Sequence, residues 1–148
     1  MKIKLNEAWY KEYPFVLLSQ IEALRQMLPE GEQLNGAEIG MGTGEFADTL
    51  GIKERVVLYT DQNLQAKDKI LIKIGDVEHL PYDDLSLDFI VIASCKNCFN
   101  DLHVAFQEIF RVLKKNGVLV IGFMERNSII GRDYELCPMK NLWDKKMC

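Results

Sequence analysis

Three glycines alternate with other residues in the segment 40–44, which reads Gly-Met-Gly-Thr-Gly and follows Glu38 and Ile39. Glycine tolerates positive φ and lets a ligand approach the backbone closely. Where a helix follows at once, its free N–H groups attract carboxylates and phosphates. The segment therefore predicts a ligand-binding turn between a strand and a helix; the alternative is a tight turn that binds nothing.

The spacing of these glycines distinguishes between classes of ligand. Dinucleotide-binding turns have the pattern Gly-x-Gly-x-x-Gly and hold a pyrophosphate at the helix N-terminus. Here Glu45 takes the sixth position and would place a negative charge against the pyrophosphate. Gly-x-Gly-x-Gly after Glu38 fits instead a ligand with an ammonium and a carboxylate, and no Gly-Lys-Ser/Thr follows to form a P-loop. NAD-dependent oxidoreduction is therefore disfavoured.

Two acidic residues come directly after later apolar stretches. Asp61 follows 55–60, about twenty residues beyond Gly40, where nucleotide folds place the acid that binds ribose hydroxyls. Asp76 follows 70–74, in a position to accept the exocyclic amine of an adenine. Acidic residues are also common in turns, but ligands of parallel sheets bind at the carboxyl ends of the strands. With the glycines, the two acids favour a ligand that contains adenosine.

The hydrophobic pattern predicts the elements that bring these strand ends together. Apolar residues at helical spacing follow Pro14, and strongly apolar runs such as 87–93 are typical of parallel core strands. The predicted strands are 37–40, 55–60, 70–74, 87–93 and 118–124, and the predicted helices are 14–28, 45–50 and one from Asp101 that ends in Lys-Lys-Asn-Gly at 114–117. The stretch 61–69 holds at most two helical turns, and 125–148 has no predicted element. Alternating strands and helices indicate an α/β domain with a parallel sheet.

Composition limits the kinds of partner. The chain has 148 residues, 48% of them apolar, which suits one domain with one core. Its net charge of −4, without a run of Lys or Arg, argues against a nucleic acid partner. No apolar stretch reaches the ~20 residues that cross a bilayer, and the first residues lack the apolar core of a signal peptide. We therefore expect a cytoplasmic protein with no membrane partner, whose four cysteines stay reduced.

Three segments resemble motifs of the class I S-adenosylmethionine-dependent methyltransferases, in the same order. The segment 38–44 resembles motif I of the family. The segment 75–89 resembles its Gly-Asp-Ala-Glu-x-Leu-Pro-Phe … Ser-Phe-Asp stretch, and 108–117 resembles its Glu-x-x-Arg-Val-Leu-Lys-Pro-Gly-Gly segment. The subgroup is the small-molecule type that includes ubiquinone and menaquinone biosynthesis enzymes. The aromatic entry at Trp9 and the helix 14–28 are similar to the cap region of that subgroup.

The resemblance implies a Rossmann-like, doubly wound parallel sheet of about five strands in a single domain, with a cap at 1–30, a core at 36–124 and a tail at 125–148. The family sheet has two further strands in an antiparallel hairpin, for which this chain is too short. The cofactor implied is S-adenosylmethionine. By position, its methionine part would be held by Glu38, Gly40, Gly42 and Gly44, its ribose by Asp61 and its adenine by Asp76 and Val77, with Ala93 and Ser94 beside the sulfonium.

The residues on the acceptor side show no recognisable catalytic pair. The main candidates are Tyr10, Asn97 and His103, with Tyr13, Cys95, Asn100 and Glu125 behind them. Tyr10 suits a lid over the cofactor or an aromatic packed on the core, and His103, in the first turn of a helix, suits the surface. The Cys-x-x-Cys pair at 95 and 98 lacks a second pair or two histidines to complete a zinc site, so no metal is expected.

The functional hypothesis is methyl transfer from S-adenosylmethionine to a small-molecule acceptor. The alternative is a truncated or non-catalytic S-adenosylmethionine-binding domain with a regulatory or partner-binding role. Without the terminal hairpin, the strand 118–124 would be an apolar sheet edge, and such edges recruit partners. We expect this edge to be covered by a second copy of the chain, by the tail 125–148, or by further residues.

Overall fold

The computed structural model describes residues 10–31, 33–40, 44–57, 70–93, 99–125 and 127–136. The predicted alternation of strands and helices is confirmed. The elements in chain order are α1 (Pro14–Met27), β1 (Gly36–Ile39), α2 (Glu45–Leu50), β2 (Glu54–Val57), β3 (Leu71–Ile74), β4 (Leu87–Ala93), α3 (Leu102–Val112), β5 (Leu113–Gly122) and α4 (Ile129–Leu136).

All five strands lie in one parallel sheet, in the order β3-β2-β1-β4-β5. Ala37 at the centre of the sheet is in register with Glu54 on one side and Ile90 on the other. From β1 the chain first builds the sheet outward through β2 and β3, and then returns to build the other side. Because the order reverses between β1 and β4, a crevice opens there at the carboxyl ends of the strands, which is where such sheets bind ligands.

Helices cover both faces of the sheet. On one face, Ile21 and Leu24 of α1 and Phe46 of α2 pack against Phe89 and Val120. On the other face, one stripe of α3 (Ala105, Ile109, Val112) packs against residues that include Ile39, Val56, Ile90 and Ile92. The sheet is therefore doubly wound, as expected from the resemblance.

Helix α3 begins as the sequence predicts. The side chain of Asp101 accepts hydrogen bonds from the backbone N–H groups of His103 (2.8 Å) and Val104 (3.3 Å), which satisfies two of the free donors of the first turn. Its predicted end at 114–117 is wrong, because the helix stops at Val112 and Leu113 already pairs with Leu87 of β4.

The residues 114–117 form an irregularity within β5 instead of a helix terminus. The partner of Leu87 is Leu113, whereas the partner of Phe89 is Val118, so the intervening residues bulge from the sheet. Gly117 suits this bulge because a Cβ there would lie 3.0 Å from the carbonyl oxygen of Lys114. The glycine and cations that predicted a helix end therefore belong to an irregularity in β5. The ammonium of Lys114 donates a hydrogen bond to Asp88 at 2.8 Å.

The tail also differs from its prediction. Helix α4 lies at 129–136, where the sequence predicted no element. Ser128 precedes it, and its hydroxyl accepts a hydrogen bond from the N–H of Gly131 at 2.9 Å. This serine cap is a sequence signal for a helix start that the prediction missed. Among the described residues β5 is an edge of the sheet, with β4 as its strand partner.

Candidate active site at the carboxyl ends of the strands

The glycine turn joins β1 to α2 as predicted. Gly40 follows β1, has a φ of 155° and donates its N–H to the carbonyl of Val56 at 3.1 Å. Gly44 has a φ of 88° and precedes the first residue of α2. Both backbone conformations favour glycine over residues with a side chain. Gly42 lies outside the described residues.

Two carboxylates flank this turn in buried surroundings. Glu38 of β1 is 2% exposed and is the one charged residue in the core of the described chain. One carboxylate oxygen of Glu45, at the start of α2, is also buried and has no hydrogen-bond partner among the described residues. Negative charge on both sides of the turn opposes a pyrophosphate and suits a ligand with an ammonium group.

The loop after β3 presents a donor and an acceptor side by side. Asp76 accepts the N–H of Glu78 through Oδ1 at 3.0 Å, and its carbonyl accepts the N–H of His79 at 2.9 Å. Within the part of the chain that the structure describes, neither Oδ2 of Asp76 nor the N–H of Val77 has a hydrogen-bond partner. The amine and ring nitrogen on the Watson–Crick edge of adenine complement this pair.

The side chain of Val77 faces the core, so only its backbone is available at this edge. The side chain is 1% exposed and belongs to the core cluster that contains Val56 and Leu80. The packing fixes the loop so that the peptide N–H is the group left for a ligand. Ala93, half-buried at the end of β4 and in register with Gly122, completes the described strand ends. Asp61, Ser94, Cys95 and Asn97 lie outside the described residues.

The acceptor-side candidates that the structure describes are not brought together. The Tyr10 hydroxyl donates to Oε1 of Gln20 at 2.9 Å, and its ring meets the edge of Phe46 at 6.1 Å between centroids, so it packs on the core beside α2. His103 is exposed on α3, with Nε2 3.1 Å from the amide of Gln107. Of the remaining described candidates, Tyr13 precedes α1, Asn100 precedes α3, and Glu125 lies ahead of α4.

A network that the sequence analysis missed fastens the loop after β3 to α3. Glu78 accepts the N–H groups of Asn100 and Asp101, while Glu108 accepts the N–H of Leu80 at 2.8 Å. Arg111 binds both carboxylate oxygens of Glu108, and this lowers the pKa of Glu108 and raises that of the arginine. The signal was present, because these acids and the arginine belong to the two motif segments at 75–89 and 108–117.

A second cleft, of about 530 Å³, lies at the amino ends of the strands, away from the glycine turn. Asn35, Glu54 and Leu87, which precede or begin three of the strands, line it. The ammonium of Lys73 there contacts Glu54 at 3.0 Å and lies 4.0 Å from the ring centre of Tyr82. Burial and the Glu54 carboxylate raise the pKa of Tyr82 above its usual range.

Two further properties concern the described residues as a whole. No three His, Cys, Asp or Glu side chains among them lie close enough to hold a metal ion. None of the described helices combines the length and apolar character that crossing a membrane requires.

Comparison with known proteins agrees with this geometry. A family model for the methyltransferase domain matches residues 37–121, more than half of the chain. A crystal structure of a S-adenosylmethionine-dependent methyltransferase from Thermotoga maritima, described as a possible histamine N-methyltransferase, has a TM-score of 0.81. It is 34% identical to this chain, over 96% of this chain and 68% of that one.

Curated relatives support the same family. An uncharacterized protein of Methanocaldococcus jannaschii is 34% identical over 140 residues, which are 94% of this chain and 67% of the relative. The malonyl-[acyl-carrier protein] O-methyltransferase of Yersinia pestis is 26% identical over 123 residues, and the match spans 45% of that enzyme. The present chain thus covers about two thirds of the first relative and under half of the second. It belongs to the class I S-adenosylmethionine-dependent methyltransferases, and S-adenosylmethionine is its cofactor.

Proposed function

We propose that this chain transfers the methyl group of S-adenosylmethionine to a small-molecule acceptor. The observation that carries the proposal is the set of unsatisfied groups at the carboxyl ends of the strands: the Glu45 oxygen at the glycine turn, and Asp76 with the Val77 N–H at the adenine position. The Glu45 oxygen is buried, and a buried polar group without a partner costs about 1–3 kcal/mol. A cofactor with an ammonium at one end and an adenine at the other satisfies both sets.

The residues have the following proposed roles. Glu38, Gly40, Gly42 and Gly44 hold the methionine part, Asp61 holds the ribose, Asp76 and the backbone of Val77 hold the adenine, and Ala93 and Ser94 lie beside the sulfonium. When bound, the cofactor would supply an electrophilic methyl carbon, whose bond to sulfur would break, with the electron pair left on sulfur, as the acceptor bonds to it. The protein's task is to hold the two reactants in line and close together. Tyr10, Asn97 and His103 remain the candidates for contact with the acceptor.

Titration calorimetry with the cofactor, its demethylated product S-adenosylhomocysteine, and NAD tests the binding roles. We expect both sulfur compounds to bind and NAD not to bind. Asp76→Ala should raise the Kd for S-adenosylhomocysteine about tenfold, the effect of one hydrogen bond to a charged acceptor. Asp83→Ala, which removes an exposed acid of the same loop, is the matched control and should leave the Kd unchanged. An equal effect of the two substitutions would refute the adenine assignment.

Transfer of a labelled methyl group to amine, carboxylate, phenol and quinol acceptors tests turnover. Product formation with any of these small molecules supports the proposal. Tight cofactor binding with no transfer to any class would favour the non-catalytic binding domain. Because calorimetry and turnover are measured separately, failure of the acceptor proposal leaves the cofactor assignment intact.

We further propose that the chain forms a homodimer through the edge strand at 118–124. Ile121 of β5 is 37% exposed, and Phe123, directly after the end of β5 at Gly122, is 79% exposed, so pairing along this edge would remove apolar side chains from water. Light scattering coupled to size exclusion should give twice the 17.0 kDa of one chain. Phe123→Glu should yield the monomer, with Phe15→Glu on α1, at 80% exposed, as the control that leaves the dimer intact. A wild-type monomer would refute this proposal.

The remaining proposals concern the location of the protein in the cell and its macromolecular partners. We propose a cytoplasmic location, with no nucleic acid or membrane partner, in keeping with the net charge of −4. Cell fractionation and vesicle or DNA co-sedimentation test these proposals; recovery with membranes or DNA would contradict them.

A further inference from the structure

The adenine loop, defined here as residues 75–80, and the start of α3 are joined by one side chain. Oε1 of Glu78 accepts the backbone N–H of Asn100 at 2.8 Å and that of Asp101 at 2.6 Å. Both bonds have a carboxylate acceptor, which makes them shorter and stronger than bonds between neutral groups. Glu78 thereby fixes the approach to α3 relative to its own loop.

The contact has a second, separate anchor at the other end of the loop. Glu108, from the middle of α3, accepts the N–H of Leu80 at 2.8 Å, and Arg111 holds that carboxylate in place. This anchor connects the loop to the body of the helix. Glu78 is different because it connects the loop to the residues that come before the helix.

Glu78 lies between the proposed adenine contacts and the residues that lead into α3. On its own side, it directly follows Asp76 and Val77, and its N–H bonds Oδ1 of Asp76 at 3.0 Å. On the other side, Asn100 and Asp101 end the connection that leads from the carboxyl end of β4 into α3. The carboxyl end of β4 adjoins the switch point of the sheet, where the reacting end of the cofactor lies in the proposed arrangement.

We propose that Glu78 is a positioning residue that couples occupation of the adenine loop to the order of the residues that lead into α3. The inference rests on the proposed adenine contact at Asp76 and Val77. A cofactor bound at those two residues steadies the loop, and the two hydrogen bonds of Glu78 pass that restraint to Asn100 and Asp101. The backbone at Asn100 and Asp101 is thereby ordered once the cofactor is present.

Amide hydrogen exchange measured by NMR, with S-adenosylhomocysteine as the probe, tests the coupling without knowledge of the acceptor. In the wild type, the ligand should slow exchange at Val77, Asn100 and Asp101. In Glu78→Ala, the slowing should persist at Val77 and be lost at Asn100 and Asp101. Because each of these two amides loses a hydrogen bond to a charged group, we expect its exchange rate to rise about tenfold. Glu78→Gln keeps an oxygen that accepts both N–H groups and should restore most of the effect.

The controls separate coupling from general loss of stability. Glu108→Gln weakens the other anchor and should leave the ligand-dependent slowing at Asn100 and Asp101 in place. If Glu78→Ala does not fold, Glu78→Asp replaces it, because the shorter side chain does not reach both amides. No slowing at Val77 in the wild type would overturn the adenine assignment. Slowing at Val77 together with unchanged slowing at Asn100 and Asp101 in the Glu78 variant would overturn the coupling alone.

Discussion

Replacement of Arg111 by lysine tests how the adenine loop is held. The guanidinium donates to both carboxylate oxygens of Glu108, to Asp84, and to the carbonyls of Leu80 and Tyr82. Arginine suits this site because its donors are arranged in a rigid planar fork. Lysine keeps the positive charge but donates from a single nitrogen, so it cannot reach the two Glu108 oxygens and the two carbonyls at once.

The size of the effect follows from these contacts. The bond to Asp84 counts for little, because that side chain is 74% exposed. Lysine would retain one bond to Glu108 and lose the second, together with the two carbonyl bonds. Since Arg111 is itself 34% exposed, water partly replaces the lost partners. At a discounted value of under 1 kcal/mol for each bond, the loss is about 2 kcal/mol, which lowers Tm by roughly 6 °C in a domain of this size.

Thermal and urea unfolding of Arg111→Lys measure the loss. Arg25→Lys is the matched control: Arg25 is 52% exposed and contacts Glu22 at 3.2 Å and the carbonyl of Thr49 at 3.3 Å, so its replacement should cost less than about 0.5 kcal/mol. A Tm for Arg111→Lys equal to that of the control would refute the argument that the fork geometry, and not the charge, stabilises the loop.

Three further predictions follow from other contacts. Gly36→Ala should lower the free energy of unfolding by about 1–3 kcal/mol, because a Cβ at that position would lie 1.9 Å from Cζ of Phe89 and the ring must move; urea unfolding followed by circular dichroism measures the loss, and wild-type stability would contradict the prediction. The Lys114 ammonium and the Asn35 N–H hold the pKa of Asp88 below its usual range, so this carboxylate adds stability above about pH 4 that is lost as the pH falls through the folded pKa. In Lys114→Met, urea unfolding should therefore show a smaller loss of stability between neutral pH and about pH 3; an unchanged loss would contradict this. S-adenosylhomocysteine at a hundredfold excess over its Kd should stabilise the fold by about 2.7 kcal/mol, and absence of any rise in Tm would show that the folded chain does not bind it.

The sequence predicts the elements of the core because the core depends on short-range pattern. The largely apolar stretch at 87–93, which contains Asp88, matches β4 residue for residue, and the predicted strand 37–40 matches β1 to within one residue at each end. Pro14 and the apolar stripe that follows predict α1 to within one residue of its end. Such signals need no knowledge of neighbours in space, since the strand and helix periods are local properties.

The prediction was wrong where a residue is positioned by contacts with residues that are distant in the sequence. The cations and glycine at 114–117 have the composition of a helix end, but Lys114 bonds Asp88 and Gly117 allows a bulge beside β4. Glutamates such as Glu78 and Glu108 usually lie exposed on the surface, yet each of these two accepts hydrogen bonds from the backbone N–H of residues at least 22 positions away. Long-range bonds of this kind leave no periodicity, so a motif shared with a family was the available sign that these residues matter.

The same reasoning explains why the sequence predicts the cofactor and does not predict the acceptor. A cofactor held by the ends of parallel strands needs groups of fixed type at fixed places. In the proposed arrangement these are the glycines with positive φ at 40 and 44, and Asp76 beside the N–H of Val77 after β3. Spacing along the chain records those requirements because the strands themselves set the spacing. The residues of an acceptor pocket have no such fixed spacing along the chain. Tyr10 has a side chain that could contact an acceptor, but its hydroxyl donates to Gln20 and its position is explained by packing. In the proposed coupling, the contact between Glu78 and the residues before α3 transmits cofactor binding to Asn100 and Asp101. The acceptor is therefore better sought through the residues that respond to cofactor binding than through residue type.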